Sequence, residues 1–115
     1  MEKINLSEGQ VFKYVKEGMT MIGYPENILL FSYIGDNDKP MFYATYEKYR
    51  NDNLEKHIKR LRIKDFVDLL KFSLIVNGYD IDSVDIKVRD EKICYSIFSN
   101  IVTYENGPRK NKRRR

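Results

Sequence analysis

The stretch 66–76 constrains this chain more than any other: every position in it is apolar except Asp68, Lys71 and Ser73. Wound as a helix, Phe66, Val67, Leu69, Leu70, Phe72, Leu74, Ile75 and Val76 cover most of the circumference, so most of that helix has to be buried. Asp65 before it is of the type that caps a helix start, Asp68 suits the positive end of the dipole, and Asn77-Gly78 ends it. The segment is far shorter than the roughly 20 residues needed to cross a bilayer. It therefore predicts a central helix, about 66–77, that needs a sheet to lie on.

The rest of the chain supplies strands in pairs. The run 28–34 is apolar apart from Ser32 and rich in aromatic and β-branched types, as strands are. Turn chemistry follows in Gly35-Asp36-Asn37-Asp38-Lys39-Pro40, and 41–49 resumes as the second arm of an antiparallel hairpin. Later, Val84-Asp85-Ile86-Lys87-Val88-Arg89 alternates strictly, which predicts a half-buried strand with Val84, Ile86 and Val88 inward. Asp90-Glu91 turns it, 92–98 is its partner, and 101–104 is a candidate extension. Before all of these, Ser7-Glu8-Gly9-Gln10 has the form of a capping box, flanked by Leu6 and Val11 at the staple positions. It opens a short helix predicted over 8–17 and ended by Gly18, with a short strand expected from Met19 to Tyr24.

Between the two hairpins, Leu54, Ile58 and Leu61 recur at i, i+4 and i+7 behind a second capping pattern, Asp52 and Glu55. That spacing predicts a helix with Lys56, Lys59 and Arg60 on another face. The expected order is then α-β-β-α-α-β-β. This is a small α+β two-layer sandwich, with a mainly antiparallel sheet under the buried central helix. Were 55–63 a strand instead, residues 8–77 would read α-β-β-β-α. That order is similar to a double-stranded RNA-binding domain, although Asp65 and Asp68 occupy the place of that family's basic second-helix start.

With 115 residues, the chain is expected to form a single domain over 1–105, followed by a flexible basic tail over 106–115. The last seven residues carry six cations: Arg109, Lys110, Lys112, Arg113, Arg114 and Arg115. The 15 remaining basic residues face 17 acidic ones, so the overall +4 belongs to the tail and the body stands at −2. A second basic cluster, Lys48, Arg50, Lys56, Lys59, Arg60, Arg62 and Lys64, has only Asp52 and Glu55 against it, with Tyr46 and Tyr49 nearby. Cations beside aromatic rings suit nucleic acid, because the charges meet phosphates and the rings stack on bases.

Other chemistries find little footing. Asp80, Asp82, Asp85, Asp90 and Glu91 form an acidic stretch without the Gly and distal Glu of a calcium loop. The lone His57 has no evident acid–base partner, and there is no nucleophile constellation, phosphate loop or Cys/His cluster. No catalytic residue, metal or cofactor is expected. The single Cys94, the short apolar runs and the absence of a leader pattern predict a cytoplasmic protein of a reducing compartment with no membrane partner. Heavy use of Ile, Asn, Lys and Tyr fits AT-rich codons, as in a phage or mobile element.

Two functions follow as expectations. The first is a non-enzymatic accessory protein that binds nucleic acid, or a complex containing it, through 48–64 and the tail. The second is a protein-binding inhibitor that occludes a host enzyme. Open sheet edges also allow a homodimer. One continuous positive face would favour the first function; separated charge patches would favour the second.

Overall fold

The computed structural model describes residues 2–100. Its elements run β1 (Glu2–Ile4), α1 (Glu8–Met21), β2 (Leu29–Gly35), β3 (Lys39–Arg50), β4 (Asn53–Leu61), α2 (Ile63–Val76), β5 (Ile81–Arg89) and β6 (Lys92–Ser99). The α+β architecture is the expected one. The strands divide into two three-stranded antiparallel sheets, in the orders β1-β6-β5 and β2-β3-β4. Both helices lie on the inner side, and α2 packs against both β5 and β3. No helix among the described residues is long and apolar enough to cross a membrane.

The capping box forms as its spacing dictates. Gln10 N donates to Ser7 Oγ at 3.2 Å, and Ser7 N donates to Gln10 Oε1 at 2.9 Å. The helix it starts is longer than expected, because Gly18 does not end it. Val11, Val15 and Met19 continue a buried i, i+4, i+8 stripe through that position. The expected strand at 19–24 is therefore helix at its start, and the left-handed Gly23 (φ 111°) follows the actual end. Gly18 lies at the crossing of the helices, where a β-carbon would stand 2.9 Å from the Leu69 carbonyl oxygen. Packing, and not capping, explains that glycine.

The second correction concerns 53–61, which is strand and not helix. Leu54 and Ile58 fit an i, i+4 pattern, but they also fit a period of two: Leu54, Lys56, Ile58 and Arg60 share one face of β4. The tie is broken by Asn51 and Asp52 (φ 51° and 65°), which turn β3 straight back into β4. Asn and Asp tolerate that left-handed turn, whose twist suits a hairpin. Residues 8–76 thus read α-β-β-β-α.

Helix α2 starts slightly earlier than expected. Arg62 stands at its cap, and Asp65 lies in its first turn, binding the Arg62 side chain at 3.0 Å. It buries Phe66, Leu70, Ser73 and Leu74 only; Phe72, Ile75 and Val76 are exposed, so the helix is amphipathic in place. The core joins these residues to Val11, Val15 and Met19 of α1, Phe42 and Ala44 of β3, Leu61, Ile86 and Ile97. At its centre the rings of Phe42 and Phe66 stack at 3.9 Å between centroids. The predicted inward set on β5 holds, with Ile86 buried and Val84 and Val88 half-buried.

Candidate functional site

The outer face of β2-β3-β4 bears the largest exposed apolar side chains of any sheet in the fold. Strand alternation turns Leu29, Phe31 and Tyr33 outward, and these lie opposite Thr45, Tyr43 and Met41 of β3. Across β3, Thr45 faces Ile58 and Tyr43 faces Arg60. Two cross-strand rows result, Leu29–Thr45–Ile58 and Phe31–Tyr43–Arg60, and Tyr49 with Leu54 extends them along the hairpin. Leu29 is 61% exposed, Phe31 51% and Ile58 72%. The Tyr33 and Tyr43 rings lie parallel with their hydroxyls 3.5 Å apart. That hydrogen bond, more than any other influence, holds the Tyr33 hydroxyl above the ordinary phenol range, while nearby Arg60 pulls it the other way.

The basic residues singled out from the sequence do not share this face. Lys56 and Arg60 point outward with Tyr49, whereas Lys48, Arg50, Lys59 and Tyr46 follow the alternation of the inner side. The Arg62 charge meets Asp65, and Lys64 lies in the first turn of α2. Tyr46 is committed to packing: it stacks on His57 at 5.1 Å and meets Tyr24 edge-on at 5.3 Å. His57 does have an acidic neighbour, Glu55 Oε1 at 3.8 Å, because strand spacing puts i and i+2 on one face. The tail cations Arg109, Lys110, Lys112, Arg113, Arg114 and Arg115, and the candidate strand at 101–104, lie outside the described residues.

Two grooves adjoin the sheet. One, of about 430 Å³, runs between the end of α1, α2 and β4, with Met19, Leu61 and Leu69 in its wall and Lys59, Asp65 and Asp68 at its rim. The other, of about 260 Å³, opens where β4 leaves β3, and Lys39, Arg60 and Arg62 line it together with Met41.

On the opposite side, Tyr95 donates to Glu8 Oε2 at 2.8 Å, and Ser32 donates to the same oxygen at 3.3 Å. Burial, then the bond to Glu8, pushes the Tyr95 hydroxyl well above the usual phenol range. The acidic stretch stays dispersed. Asp85 pairs with Lys87 at 3.4 Å, Asp80 accepts from the Asn100 side chain, and no group of three potential metal ligands gathers among the described residues.

Sequence reasoning missed Leu29, Phe31, Tyr33, Ile58 and Lys39 as surface residues. The signal was present in 28–34, which is apolar at both alternating sets of positions. With helices on one side only, one set has to face outward.

No known protein family, curated protein or solved structure matches the chain. What the fold and surface define is an α+β module with one polar and one apolar outer sheet face.

Proposed function

We propose that this chain is a non-enzymatic binding module that docks a protein partner on the outer face of β2-β3-β4, acting by occlusion of whatever site the partner brings to it. The observation that carries this reading is the contiguous, exposed pair of rows Leu29–Thr45–Ile58 and Phe31–Tyr43–Arg60. Tyr, Phe, Met and Arg are the types enriched at the centres of protein interfaces. Strands about 4.8 Å apart, with outward residues every ~6.6 Å, give these two rows roughly 200 Å², and the whole outward face, with the charged Glu47–Lys56 pair included, on the order of 400 Å², within the range of the largest and often functional patches on monomers.

The cations support this reading over nucleic acid. Lys56 and Arg60 are separated from Lys48, Arg50 and Lys59 by the thickness of the sheet, so one polyanion cannot meet them together. Leu29, Leu54 and Ile58 also offer nothing for a base to stack on, and they suit apolar side chains of a protein.

The test is capture of a stoichiometric, saturable complex from host lysate with the whole chain and with a Phe31→Ser/Ile58→Ser variant of unchanged unfolding midpoint. Loss of the complex in the variant is expected. Retention would reject this face. Binding of duplex or single-stranded nucleic acid by the same face would return the reading to a nucleic-acid binder.

A further inference from the structure

We propose that the notch beside residues 39–41 receives a carboxylate side chain of the protein partner; this rests on the sheet-face reading above. Three observations converge there.

The first is backbone geometry. Pairing between β3 and β4 stops at Phe42 and Leu61, while pairing between β3 and β2 continues to Lys39 and Gly35. Residues 39–41 therefore have a strand on one side only among the described residues. The chain diverges at Arg62 into α2 and leaves a gap of about 260 Å³ where β4 would have continued. Toward this gap Pro40 presents a carbonyl but no N–H, and the Lys39 N–H is taken by Asp36 O, so the gap admits a side chain and not an added strand.

The second is charge. Lys39, Arg60 and Arg62 line the gap. Among the described residues, the one carboxylate within ion-pair distance of them is Asp65, which takes Arg62 at 3.0 Å. The Arg60 guanidinium rests against the Met41 sulfur at 3.9 Å and has no acidic partner there. Two cations are thus uncompensated at the mouth of an apolar face, where an aspartate or glutamate side chain complements them.

The third is size. The sheet face alone is about half of the ~800 Å² per partner found in stable complexes. A partner that continues from that face into the notch extends its contact without a break, since Arg60 belongs to both. A nucleic-acid strand is the poorer occupant, because its phosphates need cations repeated along a path, and here the cations converge at one end.

The experiment uses the isotope-labelled whole chain and three probes: a capped peptide of five Val-Glu repeats, the matching Val-Lys peptide, and a twelve-nucleotide oligothymidylate. Saturable shifts are expected at the amides of residues 39, 41 and 60–63 with the Val-Glu peptide. Lys39→Glu/Arg60→Glu should weaken that binding at least tenfold. Reversal on the other side of the sheet, Lys48→Glu/Lys59→Glu, should change it less than twofold. Equal binding of the Val-Lys peptide, preferential binding of the oligothymidylate, or indifference to Lys39→Glu/Arg60→Glu in a folded variant overturns the proposal. If the partner complex is lost in Phe31→Ser/Ile58→Ser but kept in Lys39→Glu/Arg60→Glu, the notch is overturned and the sheet face stands.

Discussion

On the outward side of β5, Asp85, Lys87 and Arg89 follow one another, and the first two pair at 3.4 Å. On the outward side of β2, the same alternation carries Leu29, Phe31 and Tyr33. Both strands belong to three-stranded antiparallel sheets, and both turn their other face to the helix layer, β5 to α2 and β2 to α1. β5 is the ordinary case of a strand with one dry and one wet side. β2 has the pattern of a strand buried on both sides, yet only one side is covered. The contrast marks the outer face of β2-β3-β4 as the sheet surface, among the described residues, that is not explained by folding alone.

The sharpest way to break that contrast is to truncate matched aromatic residues on the two faces of the same sheet. Phe42→Ala on the inner face removes the ring stacked on Phe66 and should cost about 3–5 kcal/mol in denaturant unfolding. Phe31→Ala on the outer face, where the ring is half exposed opposite Tyr43, should cost only about 1 kcal/mol. A large loss at Phe31 would mean that this ring serves the fold and not a partner.

The helix pair that dries the inner faces depends on the close approach at Gly18. Gly18→Ala should destabilise by about 1–3 kcal/mol, because the added methyl meets the Leu69 backbone and not a movable side chain.

Tyr95 tests how the two sheets are tied together, since its hydroxyl on β6 shares Glu8 with Ser32 of β2. Its raised pKa means that the folded state holds the phenol proton more tightly than the unfolded state does. The resulting stability is present in full below the unfolded value of about 10 and is lost as pH rises beyond it. Unfolding midpoints followed from pH 8 to 11 should fall at the alkaline end, and Tyr95→Phe should flatten that fall and cost about 1.5 kcal/mol at neutral pH.

The last expected effect is a gain. Ser73 is fully buried in α2, and its hydroxyl has no partner among the described residues. Ser73→Ala should therefore stabilise by about 1 kcal/mol, read from the denaturant midpoint.

Much of the fold was legible in short-range chemistry. The capping box at Ser7, the alternation from Val84 to Arg89 and the turns at 35–40 and 90–91 are local rules that survive folding intact, whereas Asp52, read as a helix cap, turns a hairpin. Residues 54–61 were illegible for a definite reason: Leu54 and Ile58 satisfy both helical and strand periods, and the decision came from cross-strand pairing with β3. Gly18 was misread for the mirror-image reason. Glycine ends helices often, but here a contact with Leu69, some fifty positions away, keeps the helix running. The candidate site suffered most, because a basic cluster along the sequence becomes two clusters on opposite faces once the segment is extended.

The residues alone determined that this chain would be a small α+β fold with an apolar helix under antiparallel hairpins, because amphipathic period and turn chemistry are written in neighbouring positions. Tertiary structure alone decided which apolar side chains stay bare and which cations stand together. Both depend on how many layers cover a sheet and where one strand leaves another, and those are long-range properties that no local pattern encodes.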